Sequence, residues 1–253
     1  MTRKISAGLL LFLLGNTAFA GEYSLSAGIE YTQGDYGGAI DTSMLYMPFA
    51  LTYQAEKYMW RITVPYVRIS GSEDVLFSST TRSPMFSTNT ISSRERTDSG
   101  LGDIIVTGRY LLQKETRDDP WLAMTANVKL GTADKDKLLG TGENDYSLQL
   151  DAAKQALHGY VGYEVIGDSA NVDYNNVLFA AAGVSLPVGD NLLAGIELYA
   201  EQAAVSGRDN VTEATLSLSK PLGKDKRLSI YMLKGFTDVS PDWGLGAVLV
   251  HQL

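Results

Sequence analysis

Between Ser99 and Gly131 the chain alternates apolar and polar side chains with a period of two, twice over. Ile104, Val106, Gly108, Tyr110 and Leu112 interleave with Asp103, Ile105, Thr107, Arg109 and Leu111; after a polar break, Leu122, Met124, Ala126, Val128 and Leu130 interleave with Ala123, Thr125, Asn127 and Lys129. That period belongs to extended strands, one face apolar and the other carrying Asp, Arg, Asn and Lys. A hairpin with one oily face has two ways to fold. A soluble sheet turns the face into a core, whereas a closed barrel in lipid turns it outward and leaves the charges against a wet interior.

The N-terminus leans toward export. Arg3 and Lys4 precede an apolar run from Ile5 to Leu14 and a small-residue site ending at Ala20, the pattern of a secretory signal peptide over residues 1–20 cleaved after Ala20. The run falls short of the ~20 residues of a spanning helix, and no later stretch approaches that length. With no cysteine, an exported chain has no disulfide framework, which excludes a small stapled domain. Loss of Arg3 and Lys4 with the leader moves the formal charge from -8 to -10, a balance that argues against nucleic acid as a partner. With 25 glycines and 14 tyrosines against 7 prolines, the remainder reads as strands, turns and interfacial aromatics, enough for a barrel over residues 21–253.

The same alternation recurs along the chain. Tyr23 to Thr32 forms a first strand that leaves no room for a plug domain before it. Leu45, Met47, Phe49, Leu51 and Tyr53 oppose Met44, Tyr46, Ala50 and Thr52; Trp60, Ile62, Val64 and Tyr66 oppose Arg61, Thr63 and Val67. Pro48 and Pro65 lie inside these strands, and each predicts a bulge or a lapse in pairing because its nitrogen carries no proton. Beyond the central hairpin, Tyr146, Leu148 and Leu150 oppose Gln149 and Asp151; Val161, Tyr163 and Val165 oppose Tyr160 and Glu164. Leu178 to Leu186 follows, then Ile196 and Leu198 against Glu197, Tyr199 and Glu201, then Leu216 and Leu218 against Glu213. Leu228 to Phe236 and Trp243 to Leu253 are apolar on both sets, so periodicity assigns them no faces. The total is about twelve strands, an even number as single-chain bacterial barrels require.

Connection lengths sort by side. Turns at 55–57, 113–119, 155–159, 187–191 and 221–226 are short, whereas the long Ser/Thr-rich stretch from Gly71 to Asp98 and the loop from Thr132 to Asp145 fall on the opposite side. Short turns on one side and long loops on the other mark outer-membrane barrels. The fold class expected is therefore all-β, a closed antiparallel transmembrane β-barrel of about twelve strands without a plug. A soluble exported sandwich fits less well, because so many charges on one face would overfill a polar cavity.

Four segments carry a further resemblance: Ser99-Gly-Leu-Gly-Asp103, the run from Gly140 to Asp151, the run from Gly162 to Asp168, and Lys234 to Gly244. Together they resemble the MetA-pathway of phenol degradation family of outer-membrane transporter-like proteins. The resemblance implies a Gram-negative outer-membrane barrel associated with passage of small, often aromatic, molecules, and it carries no catalytic residues.

By parity, Glu30, Asp103, Asp151, Glu164, Glu197, Glu201 and Glu213 face the interior against Arg61, Arg109 and Lys129, joined by Tyr46, Asn127, Gln149, Tyr160 and Tyr199. These are the candidates for a solute path. An interior of this kind either pairs its charges and closes or hydrates them and conducts, and the acidic surplus favours cations and neutral solutes over anions. The leading reading is a passive channel for small solutes, aromatic or hydrophobic ones among them. A closed structural or binding barrel whose 71–98 loop meets surface ligands is the alternative. An outer-membrane lipid hydrolase is the third, and it fares poorly because His158 and His251 both fall at the short-turn side, read as interfacial positions rather than the outer rim where lipid chemistry would sit. Asp134, Asp136, Glu143 and Asp145 lack the spacing of a calcium loop and read as a solvated acidic loop. No cofactor or metal set is expected. The partners expected are outer-membrane lipid and lipopolysaccharide, a small-molecule solute and the barrel-assembly machinery.

Overall fold

The computed structural model describes residues 21–38, 40–72, 75–76, 85–86, 95–167 and 174–253. The expected leader at 1–20 and most of the expected long loop (73–74, 77–84 and 87–94) lie outside the described residues.

The strands are β1 (Glu22–Gly34), β2 (Thr42–Gln54), β3 (Tyr58–Ser72), β4 (Val75–Leu76), β5 (Met85–Phe86), β6 (Glu95–Leu101), β7 (Ile104–Gln113), β8 (Trp121–Leu130), β9 (Asp145–Lys154), β10 (Leu157–Val165), β11 (Val177–Val188), β12 (Leu192–Glu201), β13 (Val211–Leu222), β14 (Lys226–Gly235) and β15 (Trp243–Gln252). Each wall strand pairs antiparallel with its neighbours in sequence, and β1 also pairs with β15, Ser24 opposite Gln252 through Gln33 opposite Trp243. That pairing closes the sheet. Because β6 and β7 form one strand interrupted at Gly102 and Asp103, the wall has twelve staves. The first and last staves thus cover each other's edges, leaving no unpaired ladder to face hydrocarbon.

The alternation decides which way each strand faces. Leu25, Ile29, Phe49, Tyr110, Leu148, Leu150, Leu198 and Leu216 are exposed on the outside, while Thr52, Arg61, Asp151, Glu197 and Glu213 are buried on the inside. In a water-soluble protein this would be an inverted arrangement. In a bilayer the exposed apolar wall is the solvated one. Tyr23, Tyr53 and Trp60 gather on the outside at the short-turn end, with Tyr23 and Tyr53 rings 4.9 Å apart, and Tyr31 and Trp243 pair at 5.5 Å near the long loops. Aromatic rings at both edges of an oily band suit its interfaces with water.

The two prolines act where expected. Pro48 and Pro65 sit directly opposite each other, and the β1–β2 ladder lapses beside Pro48, between Ala27–Phe49 and Glu30–Tyr46. Opposite Pro65 the register slips by one residue between the Thr63–Ile105 and Tyr66–Leu101 pairs, a bulge in which the Gly102 amide donates to the Pro65 carbonyl at 2.9 Å. The extra residue turns both Gly102 and Asp103 inward, as bulges re-aim side chains. The long connection expected at 71–98 is shorter than its sequence range, since β3 runs on to Ser72 and β6 begins at Glu95, continuing the wall.

The two unassigned strands also resolve. Ile230, Met232, Leu245 and Leu249 point out; Tyr231, Leu233, Gly244, Gly246 and Val250 point in. A Cβ on Gly246 would lie 2.2 Å from the Tyr231 ring, so the glycine is small because the tyrosine lies over it.

Candidate functional site: the barrel interior

The interior divides into an apolar layer and a charged one whose two walls differ. Toward the long loops, strand ends and loops contribute an apolar stopper. Met44, Val67, Ile69, Val177 and Phe179 come from the wall, and Tyr36, Val75, Leu139, Tyr174, Val205 and Val239 come from or beside the connections. Tyr46 and Tyr160 pack against it from below, Tyr160 with its ring 6.1 Å from that of Phe179. Tyr36 is fully buried there and donates its hydroxyl to Thr32 Oγ1 at 3.1 Å. Burial pushes its phenol well above the ordinary tyrosine range, with nearby carboxylates adding to the effect.

Beneath and beside the stopper lies an acidic belt. The register sets Glu164 opposite Val177, Phe179 opposite Glu201 and Tyr199 opposite Glu213, so that β10 to β13 present one continuous patch. Tyr199 donates its hydroxyl to Glu201, and Glu164 and Glu213 both lie within the field of Glu201. Glu30 on β1 accepts from the Tyr231 hydroxyl of β14. Nearer the short turns, Glu197 faces His158 Nε2 at 3.5 Å. His158 belongs to β10 and points inward, which corrects its reading as an interfacial turn residue; Gly183 opposite makes room for the ring, since a Cβ there would lie 2.5 Å from Nε2. His251 faces outward at the short-turn end, and neither histidine bonds a hydroxyl among the described residues.

Across the barrel the charge reverses. In the ring of twelve staves, β3 and β7 stand six places from β12 and β13. Arg61 on β3 donates Nε to Thr52 Oγ1 at 2.9 Å, and Arg109 on β7 lies diagonally beside it, its guanidinium 5.9 Å from the Trp121 ring centroid. Asp151 is held by Thr125 Oγ1 on one oxygen and Gln149 Nε2 on the other, both at 2.6 Å. Asn127 accepts from Thr107 Oγ1 at 2.7 Å and donates to Ser147 Oγ at 3.0 Å, a polar rung across β7, β8 and β9.

Asp103 and Lys129 do a different job from the other inward residues. Lys129 Nζ lies 2.6 Å from Asp145 and 3.5 Å from Asp103 and donates to Thr141 at 3.1 Å, with no more than 2 % of any of the three charged side chains exposed. Asp103 accepts from the Ala133 amide at 2.8 Å and Asp145 from the Gly167 amide at 3.0 Å. The triad therefore fastens the 131–144 loop and the start of the next connection to the wall. Asp145 is thereby removed from the acidic loop read as solvated, while Asp134 caps the short helical turn Lys135–Lys137. Arg96 adds a clasp at the rim, bonding Asp98, the Lys137 carbonyl and the Val75 carbonyl.

Parity thus brought Arg61, Arg109, Glu164, Glu197, Glu201 and Glu213 onto one inner surface, but it could not reach Tyr36, which lies in a connection. Trp121 was also missed, although it shares the parity of Ala123 and Thr125 one step beyond the strand as read.

No curated protein sequence matches the chain. Among solved structures, an outer membrane channel from Pseudomonas putida F1 is similar over 99% of this chain and 100% of its own, at 14% identity and a TM-score of 0.68. The transport unit of the autotransporter AIDA-I from Escherichia coli is similar over 97% and 94%, at 12% identity and a TM-score of 0.51. The translocator domain of the autotransporter NalP from Neisseria meningitidis is similar over 94% and 90%, at 12% identity and a TM-score of 0.50. At such identities the likeness is one of fold, that of an outer-membrane barrel. A family model matches residues 21–253, every residue of the sequence after the expected leader, and by that match the chain belongs to the family described as "Putative MetA-pathway of phenol degradation".

Proposed function

We propose that the protein is a passive channel of the Gram-negative outer membrane for small aromatic or hydrophobic solutes. The observation that carries this reading is the layering of the interior, an apolar stopper rich in aromatic rings above a polar, charged lumen in a closed barrel. An ion crossing the stopper must shed its water at a cost of several kcal/mol, whereas an aromatic solute exchanges one apolar contact for another. The similar Pseudomonas putida protein is described as an outer membrane channel, and the family's description concerns phenol degradation. The path runs past Tyr46, Tyr160 and Tyr199 and along Glu30, Glu164, Glu197, Glu201 and Glu213 on one wall, with Arg61, Arg109, Asn127, Gln149 and Asp151 on the other. Asp103 and Lys129 hold the loop rather than meet the solute. Export through a leader cleaved after Ala20, folding by the barrel-assembly machinery, and contact with lipid and lipopolysaccharide belong to the same reading, with no catalytic step in it.

The experiment is single-channel recording of the refolded protein in planar bilayers, with and without residues 77–94. Conductance that rises on deletion supports a gated channel. Silence of both proteins at every salt concentration, with growth of a deletion strain on aromatic carbon sources unchanged, sinks it. The closed binding barrel draws support from the sealed Lys129 triad, and it predicts that the deletion abolishes surface binding while solute uptake stays normal.

A further inference from the structure

Arg109 is an inward, partly exposed guanidinium on the wall of the barrel. Among the described residues it forms no hydrogen bond and no ion pair; its contact is with the face of Trp121 at 5.9 Å. Asp151, the carboxylate whose field reaches it, is turned to Thr125 and Gln149, which donate one hydrogen bond to each of its oxygens, and forms no hydrogen bond with Arg109. Arg61 sits diagonally across the β3–β7 pair and adds a second positive charge, while buried Met59 lies directly opposite Arg109 in register. A guanidinium offers two parallel donors that match a carboxylate, and an indole face beside it takes a flat ring. We propose that Arg109 and Trp121 form a docking site for the carboxylate of a small aromatic acid, of the benzoate class, at the short-turn end of the lumen. The proposal rests on the channel reading for its physiological meaning and names a solute class for it.

The site also has a direction. An anion approaching from the long-loop end meets the belt of Glu164, Glu201 and Glu213 before it reaches Arg109, whereas one approaching from the short-turn end passes only Glu197, which faces His158. Benzoate therefore reaches the site from one side.

The test uses the full barrel in two formats. In planar bilayers, benzoate added on the short-turn side reduces conductance, benzamide does not, and benzoate on the other side is at least several-fold less effective. Loss of the charge-assisted pair in Arg109→Gln weakens the block, read relative to that variant's own unblocked conductance, roughly tenfold, with Arg109→Lys in between. In detergent, the variant Trp60→Phe/Trp243→Phe retains Trp121 as its single tryptophan, and 4-nitrobenzoate quenches it at lower concentration than 4-nitrobenzamide. Equal action of the acid and the amide, or a benzoate effect unchanged in both Arg109 variants, overturns the docking site while leaving the channel standing. A barrel that never conducts but still shows acid-selective quenching removes the channel reading and keeps the site. Should Arg109→Gln not refold, the Arg109→Lys protein and the quenching comparison decide.

Discussion

Lys129 shows how much a single buried charge depends on its neighbours. Two carboxylates and a hydroxyl surround its ammonium in a site closed to water, and each carboxylate also takes a backbone amide from a connection. Removing one member of such a set leaves charges buried without a partner, which costs about 3–5 kcal/mol. We therefore expect Lys129→Met to lower the unfolding free energy of the refolded protein, read from urea titration, by that amount and to open the 131–144 loop to proteolysis. Tyr36 gives a pH signature at the other side of the stopper. Its phenol has a raised pKa when packed and the ordinary value of about 10 when released, so the open state loses its proton first. Closure is then intact below pH ~10 and weakens as the pH rises further. Conductance should climb over that range, and Tyr36→Phe should flatten the climb. Residues of this kind were only half legible in the sequence. Parity turned Lys129 and Asp103 inward, but their partner Asp145 looked like one of four loop acids, because a linear pattern does not show which loop carboxylate folds back onto the wall.

At the level of the strand, the period of two was enough to orient nearly every stave, because lipid and lumen demand opposite side chains at successive positions. It failed on β14 and β15. There the inner face itself carries Tyr231, Leu233 and Val250, with Gly244 under Thr32 and Gly246 under Tyr231, so the two sets contrast little. The prolines, by contrast, forecast their own irregularities, and the bulge opposite Pro65 is what brings Asp103 round to Lys129. The orientation of β9 can be tested with two adjacent substitutions. Leu150 points to lipid and Gln149 to the lumen beside Asp151, so Leu150→Arg should cost up to ~2–4 kcal/mol in lipid refolding titrations. Gln149→Arg should cost far less.

Across the whole molecule, the charges that parity placed on a single inner face prove to be sorted around the ring. Carboxylates gather on β10 to β13, and Arg61 and Arg109 stand on the staves across from them. The stopper was legible only on its wall side, where Met44 and Val67 fall on the inner set; its other half, Tyr36, Leu139, Tyr174, Val205 and Val239, comes from connections, which leave no periodic trace. A sorted interior predicts a dependence on charge rather than on size alone. Arg61→Gln/Arg109→Gln should shift the reversal potential in a salt gradient toward greater cation preference. Closure makes a separate demand. Leu253 donates its amide to the Tyr23 carbonyl, and β15 lies along β1 for most of their lengths, so removing residues 243–253 should leave material that no longer migrates as a compact, heat-modifiable band.

That seam joins stretches more than two hundred residues apart in the chain. Contacts so remote form late and slowly, since the intervening polypeptide must surrender its freedom before they reward it. Until they form, the nascent sheet carries two raw borders that would template pairing with any neighbouring copy. The cylinder is thus safe once finished and hazardous while incomplete, so the rate at which its two margins find each other sets how crowded a membrane it can be built in.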